Sequence, residues 1–159
     1  MIQAKIIGRD DFLGRIEKYI EINATPEKLW PLGSFERLPE WYDFIKKVEW
    51  TTKEKDVPGA IAHGYVEIAG IKSEADIQVI EVVKNQKRSW KTISSKMKAT
   101  FAITLYPTER GTKIVFLMIY ELPYSVLGKV IDKLKVSKEL EKGIMQGFQK
   151  LKVTAEKKP

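Results

Sequence analysis

Few side chains in this sequence have the chemistry for proton transfer. His63 is the single histidine, so a Ser-His-Asp arrangement would have to use it, and no nucleophile-elbow glycine pattern surrounds a serine. Tyr65 and the carboxylates of Glu67 and Glu81 are the other groups that would move protons if they faced an internal pocket. The alternative for His63 is a solvated or hydrogen-bonded histidine on a strand.

The residue pattern does not support metal or nucleotide sites. The chain has no cysteine and one histidine, which excludes disulfides, zinc-thiolate sites and multi-histidine sites. Glu74 and Asp76 share a strand face with Lys72 and Gln78, which favours a solvent face over a Ca²⁺ or Mg²⁺ site. There is no GxGxxG motif and no Walker-type phosphate loop. The sequence predicts neither a metal nor a cofactor.

Length and composition indicate one globular domain. The 159 residues are 43% hydrophobic and 31% charged, and we expect an N-terminal extension over 1–14 and a core over 15–156. The N-terminus lacks a signal-peptide pattern and no apolar run is long enough to cross a bilayer, so we expect a cytoplasmic protein. Abundant lysine and glutamate with little asparagine is a bias of proteins from hot environments, which predicts a thermophile.

The net charge of +7 is concentrated near the C-terminus. Residues 124–159 contain nine lysines against four acidic residues, a net +5. A lysine-coated solvent face of an amphipathic helix explains this charge most simply, and weak contact with an anionic membrane surface is the second explanation. Interleaved aromatic and basic residues are lacking there, which disfavours nucleic acid. The sequence leaves the oligomeric state open.

Alternating apolar and polar residues predict an antiparallel sheet of six or seven strands. In RIEKYIEIN (15–23), Ile16, Ile20 and Ile22 alternate with acidic residues, so this segment is the first strand. The other predicted strands are Ile45–Thr52, Ala60–Ala69, Ile71–Lys84, Arg88–Ser94, Lys98–Tyr106 and Lys113–Leu122. The short turns between them permit antiparallel neighbours, because a parallel crossover needs a dozen or more residues.

Two short helices or turns are expected after the first strand. Thr25 can accept a hydrogen bond from an early helical N–H, and Pro26 suits the first helical position. Pro31 and Gly33 stop this helix at once. Pro39 distorts the apolar segment that follows.

The chain after Pro123 has a helical period. The two apolar stripes are Leu127, Val130, Ile131 and Leu134, then Leu140, Ile144, Phe148 and Leu151. One long bent helix or two consecutive helices fit this pattern, and only this element is large enough to cover an apolar sheet face. Because a strongly twisted sheet curls around its cover, the predicted class is α+β with a cavity between sheet and helix.

Short motifs along the chain resemble a known family. They are Ala24-Thr25-Pro26-Glu27 with Trp30, Leu38-Pro39-x-Trp41, the Pro58-Gly59 turn, Gly64, Gly111-Thr112, and Leu151-Lys152 with Glu156. In this order they resemble the START-like, helix-grip (SRPBCC) superfamily, in its polyketide cyclase/dehydrase-like or coenzyme Q-binding-like branch. The resemblance covers 15–156 and implies a curved sheet around a long helix, with a cavity for lipids, sterols, polyketides or other apolar molecules. Fold alone does not fix the chemistry.

Inward positions of the sheet and helix provide the candidate ligand-binding residues. On one strand, Ser73, Ala75 and Ile77 share the inward phase, and small residues beside large ones leave space. The candidate residues are Trp41, Tyr65, Ile77, Trp90, Phe101, Phe116, Met118, Tyr120, Ile144, Met145 and Phe148. Tyr65, Trp90 and Tyr120 combine a ring with a polar atom, as side chains of small-molecule sites often do. Each residue taken singly also fits a filled core.

Two helix glycines and a cluster of aromatic residues add to this picture. Gly143 and Gly147 each cost about 1 kcal/mol relative to alanine inside a helix. We therefore expect close approach of a strand or ligand, a flexible gate, or tight ordinary packing at that point. The aromatic residues expected to close the mouth of the cavity are Trp30, Phe35, Trp41 and Tyr42.

Three functions compete at this stage. The leading hypothesis is binding or transport of a small hydrophobic ligand, such as a lipid, isoprenoid or polyketide-like molecule, without covalent catalysis. The second is a cyclase- or dehydratase-type enzyme acting on such a ligand through the proton-transfer groups named above. The third is an adaptor that uses the basic C-terminal helix.

Overall fold

An antiparallel sheet and one long helix form the structure. In the part of the chain that this computed structural model describes (13–95, 97–121, 125–126, 129–130 and 132–158), seven strands form one sheet in the order β1-β7-β6-β5-β4-β3-β2. The strands are β1 (Leu13–Ile22), β2 (Ile45–Trp50), β3 (Ile61–Ile68), β4 (Ile71–Val83), β5 (Lys87–Ser94), β6 (Lys98–Pro107) and β7 (Thr112–Glu121). Every predicted strand is present, with ends within two residues of the prediction. Most of the predicted N-terminal extension lies outside the described residues.

Within the described ranges, β1 and β2 are the two edge strands of the sheet. At β1, the Lys152 ammonium donates to the Glu21 carbonyl at 2.7 Å, and the Asn23 N–H donates to the Glu156 carboxylate at 2.8 Å. These two hydrogen bonds join the end of β1 to the C-terminal end of the long helix. At β2, a register shift between Ile45 and Lys47 interrupts the pairing with β3.

The long C-terminal helix begins later than the sequence predicts. Ser125–Val126 (β8) pairs with Lys129–Val130 (β9) as a separate hairpin, where a helical stripe was expected. The β-branched valines at 126 and 130, with a glycine between them in the sequence, favour a hairpin over a helix. The helix starts after Asp132, whose carboxylate accepts from the Lys135 N–H at 3.1 Å. Leu127 and Ile131 lie outside the described residues.

The helix α3 (Lys133–Ala155) packs on the sheet through its second predicted stripe. Buried along it are Val136, Leu140, Ile144, Phe148 and Leu151. Leu134 was expected to be part of the apolar face, but its side chain is 64% exposed. The predicted α+β class, a curved antiparallel sheet around a long C-terminal helix, is confirmed. No helix in the described ranges has the length and apolar character to span a bilayer.

Prolines divide the segment between β1 and β2 into single turns. It contains α1 (Pro26–Leu29), 3-10 turns at Trp30–Gly33 and Phe35–Arg37, and α2 (Leu38–Trp41). The Thr25 hydroxyl accepts from the Lys28 N–H at 3.3 Å, so the predicted cap of α1 is confirmed.

A buried arginine fastens this segment to the sheet. Arg88 of β5 is 7% exposed, and its guanidinium donates to the Asp56 carboxylate from both Nε and Nη2 at 2.9 Å. Its Nη1 donates to the Trp30 carbonyl at 3.1 Å, and its Cζ lies 3.6 Å from the Trp30 ring centroid. The guanidinium of Arg88 thus links the β2–β3 loop and the first 3-10 turn to the sheet.

A row of aromatic rings continues from that end of the sheet into its concave side. Phe35 stacks on Trp50 with centroids 5.0 Å apart and meets Trp90 edge-on at 5.1 Å. Trp90 stacks on Phe101 at 5.5 Å, and Phe101 lies 6.5 Å from Phe116. The row begins at the short helical turns and ends among inward-facing residues of β6 and β7.

Candidate functional site

An apolar cavity lies between the concave face of the sheet and α3. Its volume is about 110 Å³, and β2 to β7, residues 38–44, the β5–β6 turn and α3 all contribute walls. Among the described residues, no charged side chain lines it, and its polar side chains are Tyr42, Ser73, Thr92 and Ser95. Such a space favours an apolar guest over water, which needs polar partners.

Small residues on β3 and β4 leave this space. Gly64, Ser73 and Ala75 line the cavity beside Ile77. A Cβ added at Gly64 would meet nothing closer than the Lys47 carbonyl at 3.9 Å. The predicted inward phase of β4 therefore faces the cavity.

The polar side chains of the cavity wall are uncharged. The Thr92 hydroxyl accepts from the Ala99 N–H at 2.9 Å, and the Ser95 hydroxyl accepts from the Met97 N–H at 3.1 Å. Burial raises the pKa of the Tyr42 phenol, which keeps it protonated and neutral. The wall therefore offers hydroxyl groups and no fixed charge to a guest molecule.

The structure brings six of the eleven predicted ligand-binding residues together at the cavity. They are Ile77, Trp90, Phe101, Phe116, Met118 and Ile144. The candidate ligand-binding residues did not include Leu38, Phe44, Val66 or Met97, which also line the cavity. The alternation of β3 through Gly64 was a usable signal for Val66, whereas Phe44 lies outside any regular element.

The other five predicted residues lie away from the cavity. Phe148 is fully buried within the core, and Tyr120, 1% exposed, packs its ring where a Cβ at residue 14 would stand. The Trp41 indole donates to the Leu32 carbonyl at 2.7 Å. Met145 is half-buried on α3, and Tyr65 lies on the outer face of the sheet, 37% exposed.

The residues proposed for proton transfer do not reach the cavity either. Because β3 alternates, His63 and Tyr65 point to the face opposite Gly64, and Glu67 is not among the residues that line the cavity. Glu81 forms a salt bridge with Lys87 at 2.9 Å. The expectation that Glu67 or Glu81 faces the interior is therefore wrong.

His63 belongs to an ion cluster on the outer face. Its Nδ1 lies 2.6 Å from the Asp76 carboxylate and its Nε2 lies 3.6 Å from Glu74. The hydrogen bond to Asp76 raises the pKa of His63, and Glu74 adds to the effect. This geometry agrees with a hydrogen-bonded strand histidine.

We expect His63 to make stability depend on pH. Its raised pKa means that the pair with Asp76 stabilises the fold fully below the unfolded pKa of 6.5 and progressively less as pH rises through the folded pKa. For a partly exposed pair the loss is about 0.2–1 kcal/mol. Chemical denaturation between about pH 5 and 8 should show this slope, and His63→Gln should flatten it. An unchanged slope in the variant would assign it to other groups.

The two glycines of α3 allow close approach of residues 41–44. A Cβ at Gly143 would lie 2.5 Å from Cδ1 of Phe44. A Cβ at Gly147 would lie 2.5 Å from the Tyr42 ring and 2.8 Å from the Trp41 carbonyl oxygen. Their cost in helix propensity is offset by this contact between helix and chain.

Among the described residues, no cluster of three or more His, Asp or Glu side chains has metal-binding geometry.

Solved structures of other proteins share this architecture. The Zhui aromatase/cyclase of Streptomyces sp. R1128 superposes with a TM-score of 0.75 at 11% identity, over 91% of this chain and 94% of that chain. A Thermus thermophilus protein gives 0.71 at 19% identity, over 91% and 99% of the two chains. The major latex-like protein 151 of Panax ginseng gives 0.68 at 11%, over 92% and 99%. At these identities the likeness shows the fold alone.

Sequence comparison identifies the family. An uncharacterized 17.2 kDa protein of Streptomyces lincolnensis is 23% identical over 141 residues, which cover 87% of this chain and 89% of that protein. A family model described as polyketide cyclase / dehydrase and lipid transport matches residues 14–156. The match spans the sheet, the short helical turns and α3, and it agrees with the resemblance carried by the motifs. The chain therefore belongs to the polyketide cyclase/dehydrase and lipid transport family.

Proposed function

We propose that this protein binds and carries a small hydrophobic ligand in the cavity between the sheet and α3. The observation that carries the proposal is the wall of that cavity, which the described residues form with apolar and uncharged side chains. Burial of ligand surface would supply about 25 cal/mol per Å² of apolar area. The family includes lipid transport in its description, which supports the same function.

The cavity volume limits how a ligand can fit. About 110 Å³ is less than the roughly 150 Å³ of an engineered apolar cavity that binds benzene. A lipid, isoprenoid or polyketide-like molecule must therefore displace wall side chains or leave part of itself outside. Met97 and Met118 line the cavity, and the unbranched thioether side chain adapts its shape readily. We place this carrier in the cytoplasm, where the exposed Lys135, Lys138 and Lys142 of α3 would make weak contact with an anionic membrane.

Filling the cavity tests the proposal. Gly64→Val should reduce the affinity for 1-decanol at least tenfold, because the new methyl groups occupy ligand space, while the room around Gly64 keeps the fold stable. Valine is also favoured over glycine in a strand. Isothermal titration calorimetry gives the affinity and thermal unfolding gives the stability.

The matched control is Ala102→Val, which enlarges a β6 side chain outside the cavity lining. It should leave decanol binding unchanged. Decanol binding that survives Gly64→Val in a folded protein would refute the cavity as the binding site.

A cyclase- or dehydratase-type enzyme is the second candidate. Tyr42 favours it, because a buried neutral phenol at the cavity wall can donate a hydrogen bond to a bound carbonyl and polarise it. On this candidate, Tyr42→Phe would abolish turnover of a polyketide-like substrate and leave its binding intact. A carrier would show no turnover in either form.

A further inference from the structure

A surface groove adjoins the cavity. It has a volume of about 530 Å³ and lies between residues 43–46, the β3–β4 turn and the first half of α3. Phe44 and Ile68 line both the groove and the cavity. These two side chains therefore form the partition between an apolar interior and a charged depression on the surface.

The partition is built from side chains on a fixed backbone. The Phe44 carbonyl accepts from the Glu67 N–H at 2.9 Å, which holds the chain in place. The Phe44 ring lies against Gly143 and 5.8 Å from the Tyr42 ring, and it is only partly buried. The backbone hydrogen bond at Phe44 therefore does not depend on the position of its ring.

The groove lining contains three lysines and three carboxylates, and the pairing of one carboxylate with a lysine outside the lining leaves a net charge of about +1. Lys46, Lys135 and Lys142 line it, and among the described residues none of these three ammonium groups forms a salt bridge. Asp43 also lines it, but the Lys150 ammonium donates to that carboxylate at 2.6 Å and lowers its pKa. The carboxylates that remain are Glu67 and Glu139.

We infer that this groove holds the anionic head of an amphipathic ligand whose apolar tail enters the cavity past Phe44. The inference rests on the proposed function and names the ligand class. A cavity of about 110 Å³ takes only a short apolar segment, and burying a charge there without a partner is costly. In the adjoining groove the charged end of the ligand would stay in contact with water and lie close to the lysines.

Two ligands with the same tail, decanoate and 1-decanol, separate the contribution of the head group to the affinity from that of the tail. We expect the protein to bind decanoate about threefold to tenfold more tightly than 1-decanol at low salt, as a few exposed charge pairs would provide. This preference should shrink as salt rises, because exposed charges are screened. Calorimetric titration of both compounds measures it.

Two triple variants with the same loss of charge locate the effect. The groove variant is Lys46→Gln, Lys135→Gln and Lys142→Gln; the control variant is Lys28→Gln, Lys157→Gln and Lys158→Gln, outside the groove lining. The groove variant should lose the preference for decanoate and keep its affinity for decanol, whereas the control should keep both.

The outcomes distinguish the two levels of the proposal. Equal affinities for decanoate and decanol in the native protein, or the same loss in both triple variants, would overturn the anionic-head site and leave the carrier function standing. Failure of both compounds to bind would overturn the carrier function and the head site together.

Discussion

Replacing Arg88 with methionine is expected to lower the free energy of unfolding by about 3 kcal/mol. Methionine keeps an apolar stem but leaves the Asp56 carboxylate without its bidentate partner and the Trp30 carbonyl without its donor. Breaking a buried ion pair costs about 3–5 kcal/mol. The lower end applies because the Asp56 side chain is 33% exposed. Urea denaturation measures the change.

The double variant Arg88→Met with Asp56→Asn is the control for that interpretation. Asparagine tolerates the positive φ of 53° at residue 56 and removes the uncompensated charge. It should recover about 1 kcal/mol relative to the single Arg88 variant. A loss below about 0.5 kcal/mol for Arg88→Met, typical of a surface substitution, would show that the ion pair does not hold the short helical turns on the sheet.

Replacing Phe148 with alanine should be equally severe, with a loss of about 3–5 kcal/mol. The side chain is fully buried, and the truncation leaves a void beneath α3. Guanidinium denaturation measures the loss. Val153→Ala on the same helix, with a side chain 61% exposed, should stay within about 0.5 kcal/mol of the native protein.

The same variant decides between core and ligand contact at this position. If Phe148 is core, the folded fraction of Phe148→Ala should keep most of its affinity for 1-decanol. A large loss of decanol affinity with little loss of stability would instead make Phe148 part of the binding site, as the sequence first indicated.

The sheet was predictable because strand periodicity and short turns are local properties. Strands such as β1 and β7 alternate clearly, and the turns leave no room for crossovers. The start of α3 was not predictable from the sequence, because apolar residues three and four apart also fit a hairpin of two short strands. The β-branched valines at 126 and 130 favour the two short strands that the structure shows there.

For the candidate site, the sequence could predict only which strand residues face the concave side of the sheet. Alternation placed Ile77, Phe101 and Phe116 on the concave side, and the structure puts them at the cavity. Alternation does not tell which inward side chains touch a void, so Tyr120 was indistinguishable from them although other side chains enclose it. Tyr65 was predicted from its ring and its polar hydroxyl, but the structure places it on the outer face, where its ring contacts His63.

The interrupted pairing at the start of β2 also bears on aggregation. An open sheet edge presents unpaired N–H and C=O groups that an extended segment of another molecule can copy, which is how cross-β stacking begins. A register shift such as the one between Ile45 and Lys47 increases the local twist of a strand, and Lys46 adds a positive charge that forms no salt bridge within the described residues. Growth of a fibril from β2 is therefore disfavoured by shape and by charge repulsion together.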